Sequence, residues 1–115
     1  MGVAHNKHYL EWFEIGRTEL CRLKGLPYKE IEERGFFLVV AEAFCRYRRP
    51  LRYDDRFIIQ VSCPEAKPRK IVFSYILLSL DRSTVFAEGY TVHVPVNKQA
   101  EVTPLPEEWL FRLSS

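Results

Sequence analysis

The stretch Met1-Gly2-Val3-Ala4-His5-Asn6-Lys7-His8-Tyr9, running straight into Leu10-Glu11-Trp12-Phe13-Glu14, decides how the rest of the chain is read. A Gly-Val turn, a polar residue able to cap and then an apolar helix leave free backbone N–H groups and the positive end of the helix dipole at one corner. Such a corner polarises a carbonyl oxygen. Further along, Leu10, Phe13, Leu20 and Leu23 recur at three-residue or whole-turn spacing, which predicts an amphipathic helix over residues 7–24. Gly25 supplies its C-terminal stop.

Pro27 with Glu30, Glu32 and Glu33 behind it reads as a short second helix over residues 27–34, ending at Gly35. The chain then turns to β-branched and aromatic residues. Strands are expected over residues 36–47, 55–63, 70–80 and 85–96, with Ile71, Phe73, Tyr75 and Leu77 of the third on one face. Asp81-Arg82-Ser83-Thr84 and Pro64-Glu65-Ala66-Lys67-Pro68 read as the turns of an antiparallel meander. Pro104-Leu105-Pro106-Glu107-Glu108-Trp109-Leu110 opens a short terminal helix. One long helix followed by four antiparallel strands predicts an α+β fold, its sheet curling around the helix that covers the apolar face.

At 115 residues and 47% hydrophobic, the chain is expected to form one compact domain over residues 1–115. A net charge of +2 with its basic residues dispersed argues against nucleic acid as a partner. Cys21, Cys45 and Cys63 are odd in number and lack a C-x-x-C spacing, so neither a disulfide framework nor a zinc ribbon is expected, and a reducing cytoplasm fits best. The longest apolar run, residues 36–41, is too short to span a bilayer, and no leader pattern opens the chain.

The opening stretch resembles the motif of hotdog-fold acyl-CoA thioesterases of the 4-hydroxybenzoyl-CoA and Tol-Pal-associated type, Asp-x-x-Gly-x-Val-x-His/Asn-x-x-Tyr followed by a helix. Gly2, Asn6 and Tyr9 fall on its Gly, His/Asn and Tyr. The resemblance continues through Phe13-Glu14-Ile15-Gly16-Arg17-Thr18-Glu19-Leu20, Gly25-Leu26-Pro27-Tyr28, the run from Tyr47-Arg48-Arg49-Pro50 to Leu51-Arg52-Tyr53-Asp54-Asp55, and Ala87-Glu88-Gly89-Tyr90-Thr91-Val92-His93. The family's catalytic Asp is expected two places before Met1, together with a first strand, and the sequence carries neither.

The resemblance implies hydrolysis of an acyl-CoA thioester without a cofactor. Asn6, as backbone donor, and His5 are the catalytic candidates; Gly2, Val3 and Tyr9 would shape the acyl side, and Arg69 and Lys70 would meet the coenzyme A phosphates. Loss of the Asp is expected to slow turnover. The family's edge strand, here residues 37–47, pairs with its twin, so a homodimer is implied. The apolar character of residues 71–78 on both faces suits assembly into a homotetramer. An acyl carrier protein is the alternative thioester donor, and a non-catalytic module binding either donor is the alternative function.

Each candidate has a plainer explanation beside it. His5 is equally a turn residue, Asn6 a helix cap worth about 1 kcal/mol, and Tyr9 an aromatic packed on a strand. Glu14 and Arg17 form an i, i+3 surface pair. Gly16 is expected to allow close approach of a strand or partner subunit. His5 and His8 lack the further ligands of a metal site, and His93 is expected to face solvent or its neighbour. Arg46, Arg48, Arg49 and Arg52 suit either phosphate or a solvated strand edge. Tyr53-Asp54-Asp55 reads as a turn, with no catalytic role.

Overall fold

The computed structural model describes the backbone of residues 6–52 and 54–115, and within that span the side chains from His8 onward. The chain forms α1 (Asn6–Leu23), α2 (Tyr28–Glu33), β1 (Phe37–Tyr47), β2 (Ile58–Lys67), β3 (Lys70–Leu78), β4 (Val85–Val96) and α3 (Glu107–Ser114). The expected α+β order is present. The four strands form one antiparallel sheet in the order β1-β4-β3-β2.

Both early helices stop by the same device. Gly25 and Gly35 adopt φ +77 and +89, a left-handed conformation open to glycine at little cost. In each case the residue after the glycine donates five residues back, Leu26 to Cys21 O at 2.8 Å and Phe36 to Ile31 O at 3.1 Å. The glycine itself donates three residues back. These paired bonds satisfy carbonyls that the helix end would leave open.

The core follows from two periodicities. On β3, Ile71, Phe73, Tyr75 and Leu77 alternate onto one face and are all buried. On α1, Tyr9, Phe13, Arg17 and Cys21 recur every four residues and are buried against that face. Phe13 stacks on Tyr75 with centroids 4.2 Å apart and planes 6° apart. Burial of each large apolar side chain contributes roughly 1.5–3 kcal/mol. Gly16 lies where a Cβ would come within 2.9 Å of Ile59 Cγ2, so its close approach is to β2 of its own chain.

Four expectations need correction. Leu10 and Leu23 of the expected apolar stripe on α1 are 43% and 68% exposed, because the stripe Tyr9, Phe13, Arg17 and Cys21 faces the sheet instead. The second strand begins at Ile58 and continues through Pro64 to Lys67, with a register shift between Ser62 and Glu65. β2 is an edge strand, so a proline at a bulge costs it no ladder bond that a neighbour would have supplied. The turn therefore shrinks to Pro68-Arg69 between the paired Lys67 and Lys70. His93 does not face solvent, because its place in the β4 alternation puts it on the inner face with Thr91 and Ala87. Arg17 is 3.9 Å from Glu14 as expected, yet its own side chain is only 10% exposed, so the pair is not a surface one.

Among the described residues, no helix is long and apolar enough to cross a membrane. α3 closes the other end of the layer. Trp109 and Leu113 are buried, Trp109 meets Phe36 edge-on at 5.1 Å, and Arg112 donates to Gly25 O at 3.0 Å.

Candidate active site at the start of the long helix

α1 is described from Asn6 onward, and the first four N–H groups of an α-helix have no partner within the helix. No acidic residue occupies the first turn. The positive end of the dipole is thus not neutralised by a carboxylate on that turn, which suits it to an oxygen gaining negative charge. The acidic side chains of the next turns are Glu11, 3.6 Å from His8 Nδ1, and Glu14, beside Arg17; both are exposed.

An aromatic cluster surrounds this corner. Tyr9 is 3% exposed, edge-on to Tyr47 of β1 at 4.7 Å and to Trp12 at 5.2 Å. Trp12 in turn meets Phe57 at 4.7 Å, just before β2. Burial pushes the Tyr9 phenol up from its ordinary pKa, against a hydrogen bond with the Leu51 backbone. Tyr9 therefore serves as packing at this corner, with one ring edge beside the half-exposed Tyr47. The sequence reading missed Trp12, Tyr47 and Phe57; the i, i+3 spacing of Tyr9 and Trp12 was the available signal.

Gly2, Val3 and His5 lie outside the described residues, as does the side chain of Asn6. Arg69 and Lys70 lie at the far end of the sheet from Tyr9. The contacts of Tyr9 with Tyr47, and of Trp12 with Phe57, place the end of β1 and the approach to β2 at the start of α1. β2 then runs ten residues, roughly 30 Å at about 3.3 Å each, to its turn with β3. Arg69 is exposed in that turn, and Lys70 Nζ lies 3.3 Å from Glu65. The basic residues on the Tyr9 side are Arg46, Arg48, Arg49 and Arg52. Arg48 pairs with Glu88 at 2.5 Å, and the Arg49 N–H donates to Phe86 O.

A groove of about 570 Å³ opens between the second half of α1 and the free edge of β2, lined by Ile15, Leu20, Leu23, Phe57, Ile59 and Val61, with Glu19 and Arg82 also on its wall. It starts beside the aromatic cluster, since Phe57 belongs to both.

Known proteins resemble this chain along nearly its whole length. The solved structure of a hypothetical protein from Aquifex aeolicus superposes with a TM-score of 0.90 at 33% identity, over 98% of this chain and 87% of that one. The acyl-CoA thioesterase YbgC of Haemophilus influenzae is 27% identical over 105 residues, which are 90% of this chain and 75% of that protein. A 1,4-dihydroxy-2-naphthoyl-CoA thioesterase from Synechocystis shares the fold, with a TM-score of 0.86 at 18% identity over 97% of this chain and 83% of that one. Residues 1–113 match the thioesterase-like superfamily, and the chain belongs to that hotdog-fold family.

Proposed function

We propose that the chain hydrolyses acyl-CoA thioesters at the start of α1. The observation that carries this reading is a long helix whose first turn holds no carboxylate and opens beside Tyr9, Tyr47, Trp12 and Phe57. The thioester carbonyl would accept the Asn6 N–H. As water adds, the C=O bond becomes a C–O⁻ bond, and the helix start stabilises the charge that develops. Collapse of that intermediate expels the coenzyme A thiolate and leaves the free acid. Gly2 and Val3 would shape the acyl side, and His5 would hydrogen-bond the substrate or take the proton from water.

A carboxylate is the better base for the attacking water, and the family pattern puts one two positions before Met1. A positioned base usually contributes about 10²–10⁴-fold.

The proposed site spans two chains. Pairing β1 antiparallel to its twin would bring the Phe37 end of one strand beside the Tyr47 end of the other. The partner's turn with Arg69 and Lys70 would then lie at the same end of the joined sheet as the first chain's α1 start, where the basic pair would meet the coenzyme A phosphates. Val39, Val40, Phe44 and Tyr47, all large and exposed on β1, support this edge as the one that is covered. Further pairing of dimers into a tetramer is the larger assembly proposed.

The test is thiol release from short-chain, long-chain and aromatic acyl-CoA. The 115-residue chain is compared with one extended upstream by the family's first strand and Asp. Faster release by the extended chain supports the reading. Binding of acyl-CoA with no turnover by either chain overturns it in favour of a non-catalytic acyl-carrier module.

A further inference from the structure

Among the described residues, Arg17, Thr91 and His93 are buried polar side chains in a core made mainly of apolar ones. They belong to one connected set. His93, fully buried, has Nδ1 3.4 Å from Leu38 O of β1 and Nε2 2.8 Å from Thr91 Oγ1. Thr91 Oγ1 is 2.6 Å from the Tyr75 hydroxyl. The Arg17 guanidinium lies beside that hydroxyl and beside the hydroxyl of Tyr28 in α2. Neither Arg17 Nε nor the Tyr28 hydroxyl has a hydrogen-bond partner of good geometry.

The chemistry of the two ends fixes the direction of the whole set. Leu38 O only accepts, so His93 Nδ1 carries the hydrogen and Nε2 is a lone pair. Thr91 must then donate to Nε2 and accept from Tyr75. Tyr75 turns its hydrogen toward Thr91 and its oxygen lone pairs toward Arg17, which is the orientation a guanidinium favours. Every donor points the same way, from the α1 cation through β3 and β4 to the β1 backbone.

We propose that this one-way chain is an acid-sensitive lock between α1 and β1, closed while His93 is neutral and forced open when a proton adds to Nε2. The added N–H would face Thr91, whose hydroxyl would have to turn toward Tyr75, and the Tyr75 hydrogen would then meet the Arg17 cation. The charged or titratable groups facing the cluster are Arg17 and Cys21 from α1, Tyr28 from α2 and Tyr75 from β3, and none of them supplies a negative charge near neutral pH. Phe73 completes the surround, edge-on to the imidazole at 5.3 Å. Among the described residues, the carboxylate recorded beside Arg17 is Glu14, at 3.9 Å and exposed. The mechanical target is specific, because His93 pairs with Val40 where the β1 register shifts before Glu42.

The test is ¹⁵N NMR of the imidazole in the intact chain, with hydrogen exchange of the β1 amides followed as the pH falls. The expected tautomer is Nδ1–H, with Nε2 hydrogen-bonded as an acceptor. After correction for the slowing of base-catalysed intrinsic exchange, the protection of the β1 amides around Val40 should fall at least tenfold between pH 6.5 and pH 4, ahead of α3. Tyr75→Phe removes the hydrogen that reversal would drive into Arg17, so the acid midpoint should move down by about one pH unit; Thr91→Ser keeps the chain and should leave the midpoint in place. An Nε2–H tautomer at neutral pH, or a folded protein whose His93 titrates at the ordinary value with β1 protection unchanged, overturns the proposal. Neither of those readings depends on a variant that folds.

Discussion

The two polar regions of α1 are opposites. At its start, backbone donors sit on a first turn with no carboxylate, ringed by aromatic side chains. Two turns further on, Arg17 is sunk against Tyr75, and a run of hydrogen bonds leads from Tyr75 to β1. The first region is the one we propose to hold a thioester carbonyl, while most of the hydrogen-bonding capacity of the second is spent inside the chain. Unsatisfied groups at a helix end cost little while water reaches them, whereas a buried polar group without a partner costs about 1–3 kcal/mol. The comparison separates a region proposed to act from a region built to hold.

The largest effect should come from removing the platform on which both regions rest. A Cβ at Gly89 would lie 2.1 Å from Phe44 O and 3.0 Å from Phe13, so Gly89→Ala pits the β4 backbone against β1. We expect loss of at least ~3 kcal/mol, the upper part of the overpacking range, read as a collapsed thermal transition by circular dichroism.

Breaking the inner region alone should spare the outer one. Thr91→Val conserves shape but strips His93 Nε2 and the Tyr75 hydroxyl of their shared partner. Stability should fall by at least roughly 2 kcal/mol, two unsatisfied groups at about 1 or more each, in urea titration. Activity per folded molecule should stay within about twofold, since α1 keeps its start.

Acid should act on the inner region in the same sense. Burial, with Arg17 adding to it, pulls His93 down to about 4 from its ordinary 6.5. The unfolded chain therefore binds the proton first. The stability that depends on neutral His93 is fully present above pH 6.5 and declines as the pH falls toward 4. Urea midpoints taken at half-unit steps should drop across that window, and His93→Gln should flatten the slope.

The smallest effect belongs to the basic turn. Arg69→Ala and Lys70→Ala should each raise KM for acyl-CoA by about two- to fivefold at low salt, with kcat unchanged, as expected for exposed charges. Raising the salt should shrink the difference.

Much of the architecture was legible in the chain. The helical period of α1, the alternation of Ile71, Phe73, Tyr75 and Leu77, and the two glycine stops each state a period or a backbone requirement, although the buried stripe of α1 runs through Tyr9, Phe13, Arg17 and Cys21 and leaves Leu10 and Leu23 exposed. β2 was misjudged because Pro64 reads as a strand breaker, and only the sheet order reveals that β2 is an edge, where a proline at a bulge is tolerated. The charge of Arg17 predicts a surface residue, although Tyr9, Phe13 and Cys21 at four-residue spacing put position 17 on the buried stripe. His93 could not be placed without its partners, since one residue of register decides between water and core. The site was only half legible: the helix start was visible in the sequence, but the aromatic ring around it joins residues up to about 48 positions apart.

The most direct test of the α1 start compares Asn6→Pro with Asn6→Ala in the acyl-CoA assay. Proline is accepted at a first helical position while it deletes the backbone N–H, and alanine keeps that N–H while deleting the side chain. We predict that Asn6→Pro lowers kcat by about 10²–10³-fold, the effect of one oxyanion donor, with α1 intact by circular dichroism. Asn6→Ala keeps the N–H and should leave kcat within about twofold. Equal activity of the two variants, or a larger loss with alanine, would contradict a carbonyl held by the helix backbone.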